Sequence, residues 1–143
     1  MYLGLPNPPL EEANIVLVPI PFDLTTSYQQ GTDKGPEALI EASHHLELYD
    51  IEMDCEVYKK GIFTADPVHA RTSAEMVENV YNTVHHYLSL GKFVVSVGGE
   101  HSISNPIVKA HAEKFGPLTV LQLDAHTDLM PALDGNPLSH GSV

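Results

Sequence analysis

Phe93-Val94-Val95-Ser96-Val97-Gly98-Gly99-Glu100-His101 is a β-branched apolar run that ends in two glycines, a carboxylate and an imidazole. The same design returns one helix-length later in Leu118-Thr119-Val120-Leu121-Gln122-Leu123-Asp124-Ala125-His126-Thr127-Asp128. Apolar runs this short, continuous rather than alternating, read as buried strands of a parallel sheet. Between them, Asn105 as N-cap and Pro106 in the first turn open a helix that Gly116-Pro117 closes. Parallel neighbours need such a crossover, so strand–helix–strand here predicts an α/β fold with a parallel sheet covered on both faces.

The pattern extends toward the N-terminus. Asn14 to Ile20 (Asn-Ile-Val-Leu-Val-Pro-Ile) reads as another buried strand, stopped by Pro19 and Pro21, and Phe22 to Gly35 reads as an ordered polar loop. Pro36 sits where a first helical turn tolerates it, with Leu39, Ala42, Ser43 and Leu46 on one predicted face. One short strand is expected near Val57. Thr72 and Glu75 have capping-box spacing. Val77, Val80, Tyr81, Val84 and Leu88 form a helical stripe, and Gly91 is the expected stop. No repeat, low-complexity tract or linker interrupts the chain.

Composition narrows the partners. With 7 Lys and Arg against 19 Asp and Glu, the formal charge is −12, which repels a nucleic-acid backbone or an anionic membrane and suits cationic small molecules or metal ions. No apolar run approaches the ~18 residues of a membrane span, and Met1 to Leu10 lacks the regions of a secretory signal. A single cysteine, Cys55, excludes an internal disulfide framework and suits a reducing cytosol. It is read as an inert core thiol. A soluble cytoplasmic protein is expected.

Chemistry concentrates where the two runs end, because ligands of parallel sheets bind at the carboxyl ends of strands. If the backbone stays near-extended, Asp124, His126 and Asp128 point to one side, and His101 from the neighbouring strand end can join them. Carboxylates with imidazole suit Mn²⁺ or Zn²⁺, and a carboxylate-rich set leans toward Mn²⁺. An isolated Asp-x-His-x-Asp is more simply a solvated loop, and two glycines can be only a tight turn. Both motifs at successive strand ends favour metal. The paired histidines His44-His45 and His85-His86 point about 100° apart on helices and make poor joint ligands. His111 is expected to be structural, and nothing supports a role for His69. Asp23 and Tyr28, on the loop after the first strand, are attributed to turn and loop packing.

Val97-Gly98-Gly99-Glu100-His101-Ser102-Ile103 and Leu123-Asp124-Ala125-His126-Thr127-Asp128 resemble the first two signature motifs of the ureohydrolase (arginase/agmatinase) family. Asn136-Pro137-Leu138-Ser139-His140-Gly141-Ser142 is similar to the Ser-His-Gly segment of its agmatinase branch, and Pro21-Phe22-Asp23 through Gly31-Thr32 to Gly35-Pro36 resembles that branch's N-terminal region. The resemblance implies a three-layer α/β/α fold with a mainly parallel sheet. It implies a centre of two Mn²⁺ that hydrolyses a small cationic guanidino substrate, agmatine to putrescine and urea, in a homo-oligomer. By position, His101 and His126 would each ligate one manganese and Asp124 would bridge them. Asp128 would ligate metal and accept a hydrogen bond from the nucleophile, and His140 would shuttle a proton to the departing amine.

Two departures stand out. Glu100 replaces the aspartate of many members, which implies an adjusted surround to the site. The family's third motif, Ser-x-Asp-x-Asp-x-x-Asp-Pro, brings two more carboxylate ligands and is absent from residues 1–143. The expectation is therefore an N-terminal part of one catalytic domain, inactive by itself. Arginine or guanidinobutyrate as substrate, a single-zinc deacetylase-like site, and a non-catalytic fragment or assembly module remain alternatives.

Overall fold

The computed structural model describes residues 1–143. Three parallel strands, β1 (Ile15–Ile20), β2 (Ile62–Thr64) and β3 (Phe93–Gly98), form a sheet in the order β2-β1-β3. Val16, Val18 and Ile20 of β1 are wholly buried against Met76, Val80, Val84 and Leu88 of helix α2 (Ser73–Ser89) and Ala110 of helix α3 (Ser104–Phe115). Alternation along the strand sends Leu17 and Pro19 to the opposite face. There Pro19 shares a cleft with Pro36 and Ile40 of helix α1 (Gly35–Ala42). The layers are thus α1, sheet, and α2 with α3. Each buried Val, Leu or Ile here contributes roughly 1.5–3 kcal/mol.

Local chemistry sets the ends of α2. Thr72 Oγ1 accepts from the Glu75 N–H at 3.1 Å, and the Glu75 carboxylate accepts from the Arg71 N–H. Gly91 (φ 74°) turns the C-terminus, with its N–H on Leu88 O and the Lys92 N–H on Tyr87 O, both orphan carbonyls of the last turn.

Several elements differ from expectation. Leu118–Leu123 forms no strand. The segment makes no ladder with β3, and Leu121 and Leu123 are 83 % and 91 % exposed. An apolar run specifies burial, but a strand also needs a hydrogen-bonding partner. The short strand expected near Val57 lies instead at Ile62–Thr64, while Val57 sits in a 3₁₀ turn (Val57–Lys60). Of the face expected for α1, Ser43, in the turn just after the helix, is buried, whereas Leu39, Ala42 and Leu46 are exposed; within the helix Pro36 is buried and Ile40 half-buried instead. Ser43 turns inward because its hydroxyl donates to Ile40 O and accepts from the Leu3 N–H. Helix α3 begins at Ser104 as the continuation of a 3₁₀ turn (His101–Ile103). Asn105 is therefore not a cap, and its amide donates to Ser142 O. Cys55 is half-exposed, beside a bridge to Asp50, so it is no core thiol.

The double glycine at the end of β3 is required by proximity, since neither residue has positive φ. A Cβ on Gly99 would lie 2.0 Å from the Phe22 carbonyl oxygen, and one on Gly98 would lie 1.8 Å from Ile103 Cδ1. The close approach lets the Gly99 and Glu100 N–H groups bond Ile20 O and Phe22 O, which extends the β1–β3 pairing to the site. Gly99→Ala is expected to destabilise the protein by about 1–3 kcal/mol or more, because backbone must move. Urea unfolding checks this, and an unchanged midpoint would contradict it.

Candidate metal centre

Strand order reverses at β1, so the crevice for a ligand lies beyond the carboxyl ends of β1 and β3. The loop after β1 and the turn after β3 meet there. Ser27, His101, Asp124, His126, Asp128 and His140 line one cavity of about 600 Å³.

His101 Nδ1 lies 2.7 Å from Asp128 Oδ2 and 3.5 Å from Asp124 Oδ2. One donor atom from each of these three residues falls within 4.8 Å of the others. Two carboxylates and an imidazole at this spacing are a donor set that a divalent cation fits, since the ion would stand between groups that now touch one another. His126 stands apart. Its side chain is 81 % exposed, and its Nδ1 approaches only Asp124, at 3.6 Å. The extended backbone assumed for Asp124 to Asp128 does not occur. Asp124 Oδ1 accepts from the His126 N–H at 2.8 Å, and Asp128 adopts φ 49°. That local turn brings the two aspartates together and directs the histidine between them outward. The hydrogen bond from His126 N–H, reinforced by the His101 and His126 rings and the Gln122 amide, holds the Asp124 carboxyl below its ordinary value despite partial burial.

His140 reaches the cavity on a segment folded back onto Asp128. Val143 N–H donates to Asp128 O at 2.7 Å, and Met130 N–H donates to Gly141 O at 3.0 Å. The reversal is a two-residue hairpin at Asp134-Gly135, with φ 51° and 78° and mutual backbone bonds between Leu133 and Asn136. Asp-Gly is the sequence signature of that turn, so this feature was readable.

Sequence reasoning did not place Thr25, Ser27 or Glu100 around His140. Glu100 is 3 % exposed. Its Oε2 accepts from the Leu24 and Thr25 N–H groups, and its Oε1 accepts from the Thr25 and Ser102 hydroxyls. Thr25 Oγ1 in turn lies 3.1 Å from His140 Nδ1, and Ser27 Oγ lies 3.1 Å from His140 Nε2. The loop bearing these residues is closed by Asp23, whose carboxylate accepts from the Thr26 hydroxyl and the Gly31 and Thr32 N–H groups. The Thr26 bond first, then that of Gly31, lowers the Asp23 pKa. Tyr28 is fully exposed.

Of the remaining histidines, His44 meets Met1 O and His111 meets Ile107 O. Neither takes part in the cluster.

Fold and site together define a parallel α/β protein with a candidate metal centre at its strand ends. The chain belongs to the arginase family, whose family model matches residues 13–143. It is 38 % identical over 146 residues to an N(1)-aminopropylagmatine ureohydrolase of Thermus thermophilus, covering 99 % of this chain and 49 % of that protein. Similarity to an agmatinase of Bacillus anthracis is 38 % over 141 residues, covering 95 % and 48 %. Among solved structures, Trypanosoma cruzi formiminoglutamase with Mn²⁺ superposes with a TM-score of 0.83 at 25 % identity, covering 94 % of this chain and 47 % of that one. The chain spans about half the length of the curated relatives it matches.

Proposed function

We propose that residues 1–143 supply the N-terminal part of one ureohydrolase catalytic domain that hydrolyses a guanidino compound, most simply agmatine to putrescine and urea. The convergence of His101, Asp124 and Asp128 with His140 on one cavity carries this reading. In it, His101, Asp124, His126 and Asp128 would hold two Mn²⁺. Bound there, paired divalent ions supply a nucleophile near neutral pH by lowering the pKa of water.

The chain's own residues do the rest. Asp124 and Asp128 place negative charge beside the cavity and attract a guanidinium group. Asp128 accepts a hydrogen bond from the attacking water and orients it. A C–O bond forms at the guanidinium carbon, and the C–N bond to the alkyl amine breaks. As the urea carbonyl forms, the added oxygen gives up its two protons to solvent by way of Asp128. His140 donates its proton to the departing nitrogen and regains one from solvent, so one proton is released for each neutral amine formed.

A relative named for N(1)-aminopropylagmatine favours a second substrate with a longer polyamine tail. Cytoplasmic location and assembly into a homo-oligomer belong to the same reading. The single free cysteine supports the first, and the exposed apolar Phe93, Leu121 and Leu123 offer a surface for the rest of the domain or a second copy to cover. No helix is long and apolar enough to cross a membrane.

The test is urea release by the intact protein from agmatine, N(1)-aminopropylagmatine, arginine and guanidinobutyrate, with metal content measured in parallel. Expected are two Mn²⁺ per site, release from one of the first two substrates, and loss of activity on chelation that added Mn²⁺ restores. One tightly held Zn²⁺, or full activity after chelation, would overturn the proposal.

A further inference from the structure

The hydroxyl of Thr25 has one hydrogen and two lone pairs, and three neighbours claim all of them. Glu100 Oε1, 2.7 Å away, belongs to a buried carboxylate that already accepts from the Leu24 and Thr25 N–H groups and the Ser102 hydroxyl. An acceptor-only oxygen at that distance must receive the hydroxyl hydrogen. The His140 N–H, 3.0 Å from Thr25 Oγ1, takes one lone pair. The remaining lone pair faces His140 Nδ1 at 3.1 Å, which is a hydrogen bond only if Nδ1 carries the hydrogen.

We propose that Glu100 and Thr25 are positioning residues that hold His140 as its Nδ1–H tautomer. The consequence falls on the other nitrogen. Nε2 lies 3.1 Å from Ser27 Oγ, and both residues line the cavity shared by His101, Asp124 and Asp128. With Nδ1–H committed to Thr25, every proton that His140 gains or loses passes through Nε2. Ser27 donates to Nε2 when the ring is neutral and accepts from it when the ring is charged, because a hydroxyl can do either. One ring orientation therefore serves both protonation states. The couple also explains the longer side chain at position 100. It crosses from the turn after β3 to the loop after β1 and bonds Leu24, Thr25 and Ser102 together.

The assignment to catalysis rests on His140 as the proton donor proposed above, whereas the tautomer can be measured without turnover. In intact protein labelled with ¹⁵N-histidine, long-range ¹H–¹⁵N correlation spectra of the neutral ring should show His140 with hydrogen on Nδ1. The resonance is identified by its loss in His140→Asn. Nε2–H in the unaltered protein overturns the proposal with no further variant. Thr25→Val keeps the shape and removes the hydroxyl. It should release the ring toward the Nε2–H form that free histidine prefers. It should also lower kcat by about 10²-fold, the lower end of what a general acid–base contributes, with KM and metal content unchanged. Thr25→Ser should restore both tautomer and kcat. A tautomer unchanged in Thr25→Val, or a changed tautomer with normal kcat, would overturn the positioning role. Absence of urea release from the unaltered protein overturns the function proposed above instead, and the spectrum distinguishes the two failures.

Discussion

Asp124→Asn is expected to cost at least one Mn²⁺ per site and to lower urea release by roughly 10²–10⁴-fold. Metal-borne charge stabilisation is worth several kcal/mol, and each ~1.4 kcal/mol is a factor of ten. The substitution separates charge from architecture. An asparagine Oδ1 can still accept the His126 N–H, the bond that folds the Asp124–Asp128 segment and brings the two aspartates together. What disappears is one negative charge and one anionic donor atom, in a group whose own hydrogen bonds already favour the ionised form. Elemental analysis of the dialysed variant, with urea release measured on the same sample, checks the outcome. Full occupancy by two Mn²⁺ with unchanged turnover would remove Asp124 from the centre.

The parts of this molecule that were legible in the sequence are those governed by near neighbours. Thr72 and Glu75 announced the start of α2, Gly91 its end, and Val80, Val84 and Leu88 its buried face. Met76 sits one helical step before Val80 on that face and belongs to the same period. The motifs closing two apolar runs pointed to His101, Asp124 and Asp128, but only the first run is a strand, so for the two aspartates the residues that converge were right and the backbone behind them was not. Periodicity fails where the deciding partner is remote. Leu118–Leu123 has a strand's composition, yet a strand is a pairing, and no pattern within the run specifies one. The turn at Asp124 is local, but its side-chain bond competes with extension, and alternation cannot foresee which prevails. The surround of His140 was the least legible part. Thr25 and His140 are 115 positions apart, and each looks like an ordinary loop residue until buried Glu100 is seen to hold the Thr25 hydroxyl that His140 meets.

His140→Ala is expected to lower kcat by roughly 10²–10⁴-fold, the range for loss of a general acid–base, while both metal ions stay bound. The separation follows from geometry. His140 lies in the cavity with His101, Asp124 and Asp128 but is no member of their donor cluster, so its removal leaves those three residues in place. Nor should the segment that carries it unfold. The backbone bonds from Val143 to Asp128 and from Met130 to Gly141, and the Asp134-Gly135 hairpin, use no atom of the imidazole. The lost side chain opens a space beside Ser27 and Thr25 that free imidazole can enter. Added imidazole should therefore recover part of kcat, with a rate that rises with its concentration and saturates. Structural disruption predicts a different pattern, because imidazole cannot repair a misfolded loop and metal content would fall with the rate. Normal kcat in His140→Ala would reduce the residue to a hydrogen-bonded loop histidine and leave the departing amine to take its proton directly from water.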